Sequence, residues 1–362
     1  MAVYPGLLTG DATSEHALIP SFHARSFLKI LVTGGAGYIG STTSAHFMAA
    51  GHEVIVYDSL ARGHRESIPE GAAFVQGDVL DRAALDAAFA KYQPDAVAHF
   101  AALIEAGESM QNPGVFFQNN VSGAISLLEA MVTHGVKRLV FSSTAAVYAS
   151  KMAALSEEDP LGPSNVYGET KLMIETMLKW YNRIHGLRYC ALRYFNACGA
   201  MLDGGGRALR GEAHQPESHL IPLTLQVPLG QRQSIAIYGT DYPTPDGTCI
   251  RDYIHIEDLA SAHVLALDAL DKEEMLTYNL GNGRGYSIRE VIDVARKVTG
   301  HAIPAVETPR RPGDAPVLVA SAEKINHELG WTPRHPDLAD IIETAWEWHQ
   351  SHPKGYQKDL RR

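Results

Sequence analysis

The chain has 362 residues, 45% of them hydrophobic and 20% charged, with a formal net charge of −10. That balance fits a soluble globular protein of one or two lobes, and it argues against nucleic acid as a partner, because phosphate binding needs clustered positive charge. No apolar run approaches the roughly 18 residues of a membrane span. Three widely spaced cysteines (Cys190, Cys198, Cys249) form no CxxC pair and point to a reducing cytosol.

Residues 1–27 lack a basic segment followed by an apolar core and carry Asp11 and Glu15, so a poorly ordered extension is expected there rather than a leader. From Lys29 the pattern alternates. KILVT reads as a buried strand, followed by a glycine-rich turn and a helix to about Ala50. EVIVYD, AAFVQGD and DAVAHFAA read as the next three strands, then come a helix over 113–134, the strand RLVFSS, a helix over 165–185 and the strand RYCALRYF. Strands alternating with helices of this length predict an α/β fold, a doubly wound parallel sheet. After Asn196 the rhythm breaks into loops such as GGGR and DYPTPDGT, with the short strand SIAIYG and two helices between them. That part predicts a smaller mixed α/β C-terminal lobe.

VTGGAGYIGS places Gly34, Gly37 and Gly40 after an apolar strand and before a helix, the context a dinucleotide fingerprint requires. The glycines permit a tight turn and a close backbone approach to a pyrophosphate at the helix N-terminus. Asp58 ends the second strand 18 residues beyond Gly40, near the expected spacing for a ribose-binding acid. A carboxylate there favours NAD over NADP, although Arg62 and Arg65 follow closely. Asp78 stands where an adenine would lie; a solvated loop aspartate reads equally well.

VFSSTAAVY ends a strand in Ser142, Ser143 and Thr144, and NVYGETK sets Tyr167 and Lys171 one helical turn apart. Fingerprint, acid, strand-end hydroxyl and Y-x-x-x-K fall in the order of a proton-transfer site. A tyrosine with an ordinary pKa of about 10 needs a downward shift of roughly 3 units, about 4 kcal/mol, to act as a base near pH 7. A cation at ~4 Å supplies about that much at an effective dielectric of 20. Lys171 together with a positive nicotinamide ring is expected to provide it, with Thr144 orienting the reacting oxygen.

These residues resemble the extended short-chain dehydrogenase/reductase superfamily and, within it, the UDP-glucose 4-epimerases. The resemblance runs from about Lys29 to Tyr356 and includes HFAALIEAGES, NNVSG, LRYFNACGA, HLIPL, the block from Ile237 to His263, YNLGNG and RRPGD. It implies a Rossmann domain over 28–195 and a UDP-sugar lobe mainly over 196–362, with segments around 250–270 returning to the first domain. It implies retained NAD, a UDP-sugar substrate, a homodimer pairing the 113–134 and 165–185 helices, and a cytoplasmic enzyme. Cofactor contacts are implied at Gly34, Gly37, Tyr38, Ile39, Gly40, Asp58, Ser59, Asp78, Val79, Phe100, Ala101, Ala102, Asn120, Ser142, Tyr167, Lys171 and Tyr194. Substrate contacts are implied at Thr144, Tyr167, Asn196, Ser218, His219, Leu220, Ala236, Ile237, Tyr238, Arg251, Arg311 and Asp314. For Arg251 an ion pair with Asp252 or Asp258 is the plain alternative.

Departures from the family pattern are Thr144 for a frequent serine, Ile104 where some members carry a phosphate-contacting lysine, and Val166 for a proline. Leu318 falls at a position associated with sugar-pocket size and leaves hexose, pentose and N-acetylhexosamine open. Ala145 and Ala146 stand where related 4,6-dehydratases use Asp and Glu, and methyl groups transfer no protons. A net dehydrogenase would exchange its cofactor freely, and a cofactor-sensing protein on this fold would be expected to lose Tyr167 or Lys171. The histidines show no HExxH or comparable ligand spacing, so no catalytic metal is expected.

Overall fold

The computed structural model describes residues 27–311 and 313–356; the expected N-terminal extension, apart from Phe27, lies outside the described residues. In the first part of the chain the elements are β1 (Lys29–Thr33), α1 (Tyr38–Ala49), β2 (Glu53–Asp58), β3 (Ala73–Gln76), α2 (Arg82–Tyr92), β4 (Ala96–His99), α3 (Ala106–Ser109), α4 (Pro113–Phe116), α5 (Gly123–Thr133), β5 (Arg138–Thr144), α6 (Val166–His185) and β6 (Arg188–Tyr194). The rest contributes β7 (Asn196–Cys198), β8 (Met201–Leu202), β9 (Ala208–Arg210), α7 (Leu220–Leu225), β10 (Ile235–Tyr238), β11 (Ile250–His255), α8 (Ile256–Ala269), β12 (Met275–Leu280), β13 (Gly285–Ser287), α9 (Ile288–Thr299), β14 (Ala305–Thr308), β15 (Val317–Leu318), α10 (Glu323–Leu329) and α11 (Leu338–Ser351).

Seven parallel strands form the main sheet in the order β12-β6-β5-β4-β1-β2-β3. The strands are apolar on both faces because both are covered. Ile30, Val32, Val54 and Val56 point to one face and pack with Phe47 of α1 and Leu259, Ala262 and Ala266 of α8. Leu31, Ile55 and Tyr57, one residue out of phase, point to the other and meet α2, α5 and α6 through Leu85, Leu127, Leu128, Ile174 and Leu178. A period of two thus divides the core between two helical layers. The order reverses between β1 and β4, and a crevice opens at the carboxyl ends of the strands there.

The helix expected over 113–134 is interrupted. Phe117–Ser122 form a π-helical turn between α4 and α5, and it carries Asn120. The second lobe has its own core of Ile221, Leu225, Ile235, Ile237, Val291, Ile292 and Ile341. The chain does not leave the first domain for good at residue 196: α8 packs on α1, and β12 adds the seventh strand beside β6.

Candidate active site

A cleft of about 650 Å³ lies above the switch point, walled by the glycine turn, the ends of β2, β4 and β5, the start of α6 and loops of the second lobe. Its floor is set by glycines. Gly34 has φ 74°, and a Cβ there would come 2.5 Å from the Ala101 nitrogen. A Cβ on Gly40 would come 2.2 Å from the Gly34 carbonyl oxygen. Only glycine allows α1 to start so close to the end of β1. Gly37 is the N-cap and no side chain caps the helix, which leaves first-turn N–H groups to receive an anion.

Asp58 is fixed at the rim by two backbone donors, with the Ala36 N–H 2.9 Å from Oδ2 and the Leu60 N–H 2.8 Å from Oδ1. Burial raises its carboxyl above the usual value, while those N–H groups and His64 pull it down. Each oxygen keeps acceptor capacity for a ribose hydroxyl. An uncapped helix start, a cradle that Cβ atoms would fill and an oriented carboxylate fit a dinucleotide.

At the other end, Thr144 closes β5 and its Oγ1 accepts the Ala146 N–H at 3.2 Å. Asn165 caps α6, its Oδ1 accepting the Gly168 N–H at 2.9 Å. A Cβ on Gly168 would stand 2.3 Å from the Ala146 carbonyl oxygen, so this glycine lets the first turn of α6 rest on residues 145–147 and brings Tyr167 beside Thr144. Lys171 is 2% exposed and donates to the Ser142 carbonyl at 2.7 Å. Its ammonium lies 6.0 Å from the centre of the Tyr167 ring and 5.0 Å from that of Phe141.

The surroundings of the pair set its charges. Burial pushes the Tyr167 phenol up to about 12; the Thr144 hydroxyl works against that, and Glu105 adds to it. Burial also pushes the Lys171 amine down to about 7. Lys171 alone therefore does not lower the phenol, because the same dry surroundings penalise both charged forms. Nor are the two alanines the whole neighbourhood of the base. Glu105, from the loop after β4, faces the cleft, accepts the Ile104 N–H at 3.1 Å and lies 3.5 Å from the Arg62 guanidinium.

Every expected cofactor residue lines the cleft except Asn120 and Lys171, which stand behind the wall. Asn120 accepts the Leu103 N–H at 2.8 Å and donates to the Leu103 carbonyl and the Thr170 hydroxyl, pinning the loop after β4 to α6. Of the expected substrate residues, Thr144, Tyr167, Asn196, His219, Arg251 and Asp314 line the cleft, as does Leu318. Ser218, Leu220, Ala236, Ile237, Tyr238 and Arg311 do not. Ile237 is turned into the core of the second lobe, and Tyr238 lies half-exposed under the Arg311 guanidinium.

Arg251 pairs with neither Asp252 nor Asp258. It donates to the Ala315 carbonyl at 2.8 Å and approaches Asp314 at 3.6 Å. Asp252 instead accepts backbone N–H groups of Asn282, Gly283 and Ala320, and Asp258 those of Arg334 and His335. The cleft also holds residues that sequence reasoning missed. Glu105 and Tyr356 converge from distant segments and leave no local pattern, and Arg62, noted beside Asp58, joins them in the wall. Glu212 and His214 do leave one, since with Glu217 and His219 they form an E-x-H-x-x-E-x-H run.

A doubly wound sheet, a glycine turn, an oriented ribose acid and a cleft tyrosine backed by a buried lysine beside a strand-end hydroxyl define a nucleotide-dependent enzyme of the extended short-chain dehydrogenase/reductase type. Residues 30–281 match the NAD dependent epimerase/dehydratase family, and the chain belongs to it. It is 51% identical to the UDP-glucose 4-epimerase of Halalkalibacterium halodurans over 334 residues, 92% of this chain and 98% of the relative. A crystal structure of a UDP-glucose 4-epimerase at 50% identity superposes with a TM-score of 0.87, covering 91% of this chain and all of the other. That of the Bifidobacterium longum UDP-glucose 4-epimerase with NAD+ and UDP, at 37% identity, gives 0.86 over 91% of this chain and all of the other.

Proposed function

We propose that the protein is an NAD-retaining UDP-sugar 4-epimerase that interconverts UDP-galactose and UDP-glucose through a transient 4-keto sugar. The observation that carries this reading is Tyr167 in the cleft wall, with the buried Lys171 behind it, Thr144 against it and methyl groups at Ala145 and Ala146 beside it. NAD, when bound, supplies a hydride acceptor and later a donor at the sugar's C4. The first turn of α1 would hold the pyrophosphate and Asp58 the adenosine ribose of this cofactor.

Tyr167 takes the proton of the sugar's 4-hydroxyl and returns it after the sugar has turned over. Bringing its phenol from about 12 to near 7 requires about 7 kcal/mol. The Lys171 amine 6.0 Å from the ring centre and the positive ring of a bound cofactor would act together on the phenolate, a unit charge at ~4 Å contributing about 4 kcal/mol at an effective dielectric of 20. Thr144 donates to the sugar oxygen and holds it in line. Arg251, steadied by Asp314, is the fixed cation for the diphosphate, while Leu318 offers the sugar an apolar wall that permits rotation.

The related pairs UDP-xylose/UDP-arabinose and the UDP-N-acetylhexosamines are the second reading, which the intermediate bulk of Leu318 leaves open. Incubating the protein without added cofactor with UDP-galactose, UDP-xylose and UDP-N-acetylglucosamine separates them by product. Failure to form a 4-epimer from any of them, even with NAD supplied, overturns the proposal.

A homodimer through α5 and α6 is part of the proposal, supported by Ile125, Met173, Trp180 and Ile184 on their exposed faces. A cytoplasmic location is supported by three buried free cysteines. Among the described residues no helix is long and apolar enough to cross a membrane.

A further inference from the structure

The loop between β9 and α7 gathers four side chains around one point. His214 Nδ1 lies 3.0 Å from Glu212 Oε1 and 3.8 Å from Glu217 Oε2. His219 Nδ1 lies 2.6 Å from the same Glu212 oxygen and 3.3 Å from Glu217 Oε1. One donor atom from each residue falls within 4.8 Å of all the others. Ligands held 2.0–2.2 Å from a tetrahedral centre stand about 3.3–3.6 Å apart; the two Glu212 contacts, at 2.6 and 3.0 Å, are shorter and the Glu217 Oε2 contact, at 3.8 Å, is slightly longer, so small side-chain shifts bring the four atoms to such a spacing.

The directions carry the argument further than the distances. Glu212 is 5% exposed, and its Oε1 and both Nδ1 atoms are buried without a hydrogen-bond partner. Nitrogen and oxygen so close would normally bond along the line joining them. Here the two Nδ1 atoms sit at ion-pair distance from the carboxylates without an aligned hydrogen bond to them, which leaves the Glu212 oxygen and both nitrogens able to turn to a shared ion. The surroundings fix them as an outer shell does. Glu217 Oε1 accepts the Ser218 and His219 N–H groups at 2.7 and 2.9 Å, and Trp348 Nε1 donates to the Glu212 carbonyl at 2.9 Å.

We infer that Glu212, His214, Glu217 and His219 bind one divalent transition-metal ion, zinc by their chemistry, which fastens the 211–219 segment of the cleft wall. Two imidazole nitrogens and two carboxylates suit zinc and exclude magnesium, which takes oxygen and water. Two carboxylates neutralise the ion with both imidazoles uncharged. Four protein ligands close a tetrahedron, so the ion is structural and touches no reacting atom. The segment it holds is already tied to the dinucleotide half by Arg62, which donates to the Gln215 carbonyl at 2.6 Å, and by His64, 2.9 Å from the Ala213 carbonyl. The second cluster of ligand types, His255, Glu257 and His335, is different, because both His255 ring nitrogens are engaged, by Thr344 and by the Glu257 N–H.

The test uses the full-length protein with its cofactor, stripped by a chelator and then given zinc chloride or magnesium chloride. Zinc content per chain is read by mass spectrometry after gel filtration, and thermal stability is followed in parallel. One zinc per chain is expected, with a rise in Tm that magnesium does not produce. Glu212→Gln and His214→Gln should each weaken zinc binding by at least about 100-fold. Cobalt loaded in place of zinc should give the intense visible bands of a four-coordinate ion, a reading on the unsubstituted chain that stands even if a variant fails to fold. Zinc well below one per chain, binding that both substitutions leave unchanged, or a six-coordinate cobalt spectrum overturns the site and makes the quartet an ion-pair cluster. None of these readings depends on epimerase activity.

Discussion

Replacing Lys171 with methionine keeps the volume of a buried side chain and removes its charge. The ammonium stands 6.0 Å from the Tyr167 ring, which at an effective dielectric of 20 is worth about 2.8 kcal/mol, or about 2 pKa units on the phenol. Turnover of UDP-galactose by Lys171→Met should therefore fall about 100-fold at pH 7 and recover about tenfold per pH unit on raising the pH. Stability gives an independent reading. Folding lowers the Lys171 pKa from 10.5 to about 7, so the unfolded chain holds that proton more tightly. The penalty is full below pH 7 and fades as pH rises toward 10.5. In urea titrations, wild-type stability relative to Lys171→Met should thus rise by up to about 1.4 kcal/mol per pH unit across that window. The assay pairs a pH profile of kcat with the NAD retained per chain, since Lys171 also holds the Ser142 carbonyl at the cleft wall. A variant that keeps its NAD and runs within threefold of wild type at pH 7, on a parallel pH profile, would refute the reasoning.

Other substitutions test other parts of the account. Gly40→Ala forces a Cβ against the Gly34 carbonyl oxygen and should abolish co-purification of NAD, read from absorbance after acid release. Glu175→Gln strands Arg193, now held by contacts of 3.0 and 2.7 Å, and should cost about 3–5 kcal/mol in chemical denaturation because the pair is buried. Arg251→Met should raise KM for UDP-galactose by about 10–100-fold with a smaller change in kcat, if the guanidinium binds the diphosphate equally in ground and transition states. Trp180→Glu combined with Ile184→Glu should yield monomers by sedimentation; an unchanged dimer places the interface elsewhere.

The first half of the chain was the legible half, for a physical reason. Each parallel strand is apolar along its length and each connection carries its own helix, so β1, β2, β5 and β6 could be placed within a residue of their observed ends. The glycine turn, Asp58, Thr144 and Tyr167 were equally readable, because each acts through a local conformation at a strand or helix end. What escaped depends on long-range packing. The π turn at Phe117–Ser122 has no periodicity of its own. Burial, not spacing, drives the Tyr167 phenol up and the Lys171 amine down. Glu105 reaches the base across a loop, and the partner of Arg251 proved to be Asp314, 63 residues away, rather than its sequence neighbours. The Glu–His run at 212–219 was visible in the sequence but matched no familiar motif; only the fold shows that its four side chains converge.

The central claim is that the residues around Tyr167 move a proton and direct a hydride at C4 alone. UDP-galactose carrying deuterium at C4, converted in ordinary water without added cofactor, tests it most directly. The account predicts UDP-glucose with the label fully retained at C4 and none at other carbons. Loss of the label to solvent, exchange at C5, or elimination of water assisted by Glu105 would contradict it.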